Sequence, residues 1–171
     1  MIKVHGINHI GFTVPDIEQA VQFFTDVFGA ETIMNVGYVD VDDEFMKKRL
    51  GVNAGRRIKD MRVLQCGIGG ALEIFEYSGE DATPQKMNSE IGGFHIALEV
   101  DNVYESAERL KTMGVDLLEG PTLIDAGPME GLNWLYFRTP WGLYMEIVST
   151  EGAMGYEKEG GPKMWSPKPS V

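Results

Sequence analysis

The sequence states one pattern twice. Asn8-His9-Ile10-Gly11-Phe12-Thr13-Val14-Pro15-Asp16-Ile17 returns 86 positions later as Phe94-His95-Ile96-Ala97-Leu98-Glu99-Val100-Asp101-Asn102-Val103. His9 aligns with His95, Ile10 with Ile96, Val14 with Val100 and Ile17 with Val103. Of the three histidines in 171 residues, two stand at equivalent points of a repeat. Each copy must be one supersecondary unit, so the fold has to be built from a duplicated plan.

The plan reads off local patterning. Ile10, Phe12 and Val14 alternate with His9, Gly11 and Thr13, which predicts a half-buried strand over 7–14. Asp16 follows as a helix cap with Gln19 three residues on. Ile17, Ala20, Val21, Phe24, Val27 and Phe28 form one apolar stripe, and Gly29 stops the helix. A strand is expected over 31–39 and a short helix over Asp43–Leu50, ended by Gly51. Strands at 58–66 and 71–77 join through Gly67-Ile68-Gly69-Gly70. The second copy gives a strand at 94–100, Asn102 as cap with Glu105, and a helix turning Val103, Ala107 and Leu110 inward before Gly114. Strands near 115–124, 132–138 and 143–149 follow, with a turn at Thr139-Pro140-Trp141-Gly142.

The expected class is α+β: two tandem βαβββ modules, 1–78 and 93–149, joined by a polar linker at 79–92 and forming one domain. Residues 150–171 carry Gly160, Gly161, Pro162, Pro167 and Pro169 without periodicity. They are expected to form a lid or dimer arm with Tyr156 and Trp165 as anchors, because Met164 and Trp165 are poor choices for a solvated tail.

Charge and compartment narrow the function. A net charge of −11 argues against nucleic acid, whose phosphates call for a basic surface. No apolar run approaches the roughly 20 residues that span a bilayer, so no membrane partner is expected. The start, Met1-Ile2-Lys3-Val4-His5, has no signal-like apolar core, and Cys66 is the single cysteine. A cytoplasmic setting is expected, with Cys66 as inert packing. Arg56, Arg57, Lys59 and Arg62 are the dense basic cluster, and they read as a solvated loop and strand edge before an anion site.

The chemistry lies in two strand carboxylates. Glu73 stands in Ala71-Leu72-Glu73-Ile74-Phe75 and Glu146 in Leu143-Tyr144-Met145-Glu146-Ile147-Val148, each among core-like residues. An unpaired buried carboxylate is costly, so each calls for a partner. A lone strand histidine is more often a packed core or edge residue than a ligand. His9 and His95, repeated with the two glutamates, instead make an N2O2 set suited to one divalent metal with two octahedral positions left for water or substrate. His5 lies outside the repeat and is left out of the set.

Together these segments resemble the vicinal oxygen chelate superfamily, the group of glyoxalases, bleomycin-resistance proteins and dioxygenases. The motifs are His9-Ile-Gly-Phe-Thr-Val-Pro-Asp-Ile, Leu72-Glu73-Ile-Phe-Glu, His95-Ile-Ala-Leu-Glu-Val-Asp-Asn-Val and Thr139-Pro-Trp-Gly-Leu-Tyr-Met-Glu146, and the likeness spans residues 7–149. It implies a cupped mixed sheet around one metal, held by His9, Glu73, His95 and Glu146, and commonly a homodimer. The metal is one divalent ion: Zn, Ni, Co, Mn or Fe. The His, Glu, His, Glu set is similar to that of glyoxalase I and methylmalonyl-CoA epimerase. It implies a lyase or isomerase that moves a proton beside the carbonyl of a small oxygenated or thioester substrate. By the same resemblance Glu146 is the catalytic base and Glu73 its counterpart. The helix after Asp16 has no basic residue, where glyoxalase I binds glutathione through arginine, so lactoylglutathione is not the expected substrate. Tyr38, Phe75, Trp134, Tyr136 and Tyr144 are candidates for lining the cup. The rival readings are a non-catalytic drug-binding protein and an extradiol-type dioxygenase.

Overall fold

A computed structural model describes residues 1–79, 83–158, 160 and 163–168. Linker positions 80–82, and Gly161, Pro162 and Pro169 of the tail, lie outside the described residues. The chain divides into two compact units, Met1–Thr83 and Pro84–Val171, and the division falls inside the expected linker.

In the first unit the elements are β1 (His9–Thr13), α1 (Ile17–Phe28), β2 (Glu31–Asn35), α2 (Asp43–Leu50), β3 (Ile58–Gln65) and β4 (Ala71–Tyr77). The sheet order is β1-β4-β3-β2, with β1 parallel to β4 and the other pairs antiparallel. In the second unit the elements are β5 (His95–Glu99), α3 (Val103–Thr112), β6 (Asp116–Leu117), β7 (Thr122–Leu123), β8 (Leu132–Arg138), β9 (Tyr144–Thr150) and α4 (Gly155–Lys158). Its sheet runs β5-β9-β8-β6, with β7 also on β8, and β5 is parallel to β9. The two units share one plan, and the mixed sheets follow from it: a strand, a crossover helix, then a return to lie parallel beside the first strand.

The caps work as their residue types require. Asp16 accepts from the Gln19 N–H at 3.0 Å, and Asn102 accepts from Tyr104 and Glu105. Gly29 takes the left-handed conformation, φ 65°, that ends α1. Removing the first cap, Asp16→Ala, is expected to lower stability by about 1 kcal/mol with the fold kept, read from the urea midpoint at unchanged slope.

The stripe of α1 buries Ile17, Ala20 and Phe24, with Val21, Val27 and Phe28 half-buried. Phe24 sits tilted against Phe12 of β1 at 6.1 Å and edge-on to Phe23 at 5.4 Å. Opposite them β4 turns Leu72 and Ile74 to the helix. Across the second unit Val103, Ala107 and Leu110 of α3 meet Leu135, Phe137, Met145 and Ile147 in the same layer.

A second repeated device ties each helix to its sheet. Glu76, buried on the helix side of β4, accepts from the Ile17 N–H at 3.1 Å. Ser149, buried on β9, accepts from the Val103 N–H at 3.3 Å. Each stands three residues beyond the strand glutamate, so a single strand serves one face with Glu73 or Glu146 and the opposite face with a helix cap. Lys59 pairs with Glu76, which leaves this carboxylate neutralised where burial is most expensive.

Two strands are shorter than their patterns predict. Residues 31–39 hold regular pairing only to Asn35, with a bulge between Thr32 and Met34; Gly37 then turns through φ 73° and Val39 returns as an isolated bridge to Ile58. The 115–124 stretch splits into β6 and β7 around Glu119-Gly120-Pro121, where proline has no N–H for the ladder. The basic cluster is fully engaged: Arg57 with Asp43, Arg62 with Glu18 and Asp60, Lys59 with Glu76, and Arg56 with the Ser78 carbonyl. It is structural, not an anion site. Cys66 is half-buried, and burial pushes its thiol up, consistent with inert packing.

Candidate active site

In both units the His–Glu pair is set by strand register. His9, Gly11 and Thr13 of β1 lie beside Ala71, Glu73 and Phe75 of β4, all on the face away from α1. His95, Ala97 and Glu99 of β5 lie beside Tyr144, Glu146 and Val148 of β9 in the same way. The glutamates therefore do not share a face with Leu72, Ile74, Met145 or Ile147. Period-2 alternation sends those to the helix layer and leaves each carboxylate on the open side among Phe75, Tyr77, Tyr144 and Val148. There the two carboxylates are half-covered, with side-chain exposures of 21% for Glu73 and 12% for Glu146.

Each carboxylate leans along its sheet toward its histidine. His9 Nε2 is 3.4 Å from Glu73 Oε2, and His95 Nε2 is 3.3 Å from Glu146 Oε2. These separations exceed the usual hydrogen-bond range but match two neighbouring ligands of one ion, which at bonds of about 2.1 Å stand ~3.0–3.4 Å apart. The neighbour directly opposite each glutamate is small, Gly11 or Ala97, so the carboxylate has room to reach along the strand. A Cβ at Gly11 would stand 3.4 Å from Glu73 Oε2 and 3.8 Å from the Phe75 ring. Gly11→Val is therefore expected to displace Glu73 and weaken metal binding by about 10-fold or more while the urea midpoint moves little; isothermal titration with a divalent metal checks it.

The first pair is oriented by Asn8, whose Oδ1 lies 2.8 Å from His9 Nδ1. An amide oxygen only accepts, so His9 Nδ1 is the donor of this contact, and Nε2 is the ring nitrogen turned to Glu73. The second pair is joined by Tyr136, opposite Glu146 on β8. Its hydroxyl lies 3.3 Å from His95 Nε2, and its ring is edge-on to the imidazole at 4.9 Å. Burial raises the Glu146 pKa above the usual carboxylate value, while the His95 charge and the Tyr136 hydroxyl pull it partly back. Burial and the Glu146 charge raise the Tyr136 hydroxyl in turn. Trp134 extends the row edge-on to Tyr136 at 5.3 Å. In the first unit Phe75 stacks on Tyr77 at 5.7 Å.

Four of the predicted site residues thus form two His–Glu pairs, one per unit. Among the described residues no group of three or more His, Cys, Asp or Glu side chains is placed to hold a metal ion. Tyr136 is a functional candidate that enters through contact with both partners of its pair. Tyr144 is buried, its hydroxyl donating to Met87 Sδ at 3.1 Å, and Tyr38 is exposed. No described helix is long and apolar enough to cross a membrane.

Known proteins resemble this chain in sequence and fold. The family model for the Glyoxalase/Bleomycin resistance protein/Dioxygenase superfamily matches residues 6–147. A 2-epi-5-epi-valiolone epimerase of Actinomyces sp. is 36% identical over 167 residues, 96% of this chain and 90% of the relative. A putative lactoylglutathione lyase of Brassica oleracea var. gemmifera is 31% identical over 127 residues, which cover 71% of this chain and 45% of that protein. A glyoxalase family protein of Bacillus cereus superimposes with a TM-score of 0.67 at 15% identity, covering 88% of this chain and 97% of the other. The duplicated fold and the match over most of the length agree: the chain belongs to the Glyoxalase/Bleomycin resistance protein/Dioxygenase superfamily.

Proposed function

We propose that the protein is a divalent-metal-dependent epimerase that inverts a carbon beside the carbonyl of a small oxygenated ketone. The observation that carries this reading is the His95–Glu146–Tyr136 cluster, where a half-buried carboxylate of raised pKa stands beside an imidazole and a phenol on an open sheet face. The likeness to the Actinomyces epimerase supports the reaction class and makes 2-epi-5-epi-valiolone the first compound to try.

His9, Glu73, His95 and Glu146 would hold the cation, and the spacing within each pair fits that role. When bound, such an ion polarises the carbonyl oxygen and acidifies the neighbouring C–H. Glu146 takes the proton, and the C–H bonding pair moves into the carbonyl to give an enolate oxygen. Tyr136, opposite Glu146 on β8, holds the His95 imidazole beside the carboxylate through its hydroxyl. A second acid, for which Glu73 is the candidate by its equivalent place in the duplicated plan, returns a proton to the opposite face of that carbon, and the configuration inverts. Exchange with solvent resets both carboxyls.

Turnover of the ketone in deuterium oxide is the test: one deuteron is expected at the inverted carbon, followed by NMR. Inversion without exchange would remove the two-carboxylate scheme. Saturable binding without exchange would instead indicate a binding protein, and oxygen uptake a dioxygenase. We further propose a cytoplasmic homodimer, supported by the superfamily's common assembly and the single cysteine; sedimentation of the purified chain tests the dimer.

A further inference from the structure

We propose that residues 163–168 form one wall of the substrate site and that Trp165 contacts substrate as a specificity-determining residue. This rests on the His95–Glu146 reading above. The tail is docked before it reaches that point. Met154 is buried, Gly155 N–H donates to the Glu130 carbonyl and Tyr156 N–H to the Pro128 carbonyl, while Lys158 pairs with Glu130. The chain is then tied again on both sides of Trp165. Met164 N–H donates to the Tyr156 hydroxyl at 2.8 Å, and the Ser166 hydroxyl donates to Glu99 Oε2 at 2.7 Å.

Glu99 decides where the second tie lies. It belongs to the open-face row His95, Ala97, Glu99 of β5, and pairs in register with Val148 of β9, two residues beyond Glu146. Two residues along a strand are ~7 Å, so Ser166 is latched within one row of the catalytic carboxylate. Trp134 stands in that same cross-strand row, opposite Val148. Trp165 is therefore held between two fixed points, yet keeps 67% of its surface exposed beside Met164 at 72%. An indole whose chain neighbours are tied on both sides, and which is left uncovered next to an active face, offers a flat apolar surface to a ligand there. A small cyclic ketone has such a face in its ring C–H bonds.

The test uses the full chain, saturating divalent metal and 2-epi-5-epi-valiolone as probe. Trp165→Ala is expected to raise KM about 10-fold or more with kcat within ~3-fold, and Trp165→Phe to recover most of the loss. Ser166→Ala, which frees the latch, should give a smaller rise in KM. Ketone binding should change the intrinsic fluorescence of the wild type, and Trp165→Phe should remove that change although Trp134 and Trp141 remain. Unchanged KM in Trp165→Ala, or an undiminished fluorescence change in Trp165→Phe, overturns the proposal. So does a Trp165→Ala chain whose sole defect is loss of self-association. Binding through Trp165 without deuterium exchange leaves the wall in place and removes the epimerase reading. Normal exchange with an indifferent Trp165 does the reverse, and a wild type that neither binds nor exchanges overturns both.

Discussion

Glu146→Gln is expected to abolish deuterium incorporation beside the ketone and to lower kcat/KM by about 10³-fold, the size of a general base removed from a proton transfer. The substitution keeps the shape of the side chain and a carbonyl oxygen that can still face the metal. It removes the basic lone pair of a group that burial has already made more basic than a solvated glutamate. The Tyr136 contact with His95 does not depend on the Glu146 charge, so the sheet face should not rearrange. Activity is therefore measured at saturating metal, with bound metal counted in the same samples. Loss of exchange with metal retained is the expected result. Exchange at the wild-type rate would transfer the base role to another residue, with Glu73 the first to examine.

Much of this site is legible in the sequence because duplication doubles every weak signal. A histidine on one short strand says little. His9 and His95 at the same offset as Asp16 and Asn102 fix two strand–helix corners at once, and the corners are where the structure puts them. Helix α2 is equally readable, since Asp42 caps it and Gly51 closes it in the left-handed conformation.

What the sequence hides is which face a residue serves when both faces look apolar. Around Glu73 and Glu146 the flanking residues are apolar on both sides of the sheet, so alternation alone does not say that the carboxylates stand clear of the helix layer. Strand β8 is harder still: Leu132, Trp134, Leu135, Tyr136 and Phe137 leave no polar alternation, and Tyr136 stands out from the other aromatic candidates for the cup only by its hydroxyl at His95. Glu76 and Ser149 are invisible for another reason. Their partners are backbone N–H groups 59 and 46 residues away, and long-range caps leave no local motif. The expected single run at 115–124 fails where Pro121 removes a ladder donor, a local signal that was present and outweighed by the flanking apolar residues.

Metal binding separates the duplicated frame from a merely duplicated fold. Purified protein is expected to hold about one divalent ion per chain, and stripping it with a chelator should abolish exchange until metal is restored. A single His–Glu pair supplies two ligands, too few for firm retention of a divalent ion that prefers four to six. If both pairs serve one ion, His9→Ala and His95→Ala should act alike. Each should weaken affinity beyond the roughly 10–100-fold typical of changes around a ligand shell, and each should lower occupancy in elemental analysis well below one. The wild-type stability gained from metal, read as a concentration-dependent rise in Tm, should vanish in both variants. Two ions per chain, with each variant losing one and keeping the other, would mean that the pairs are separate sites. His9→Ala without effect would leave Glu146 and His95 as the whole centre. The Asn8–His9 contact favours equal losses, since a side chain spent on fixing the tautomer of His9 has a purpose only if Nε2 is used.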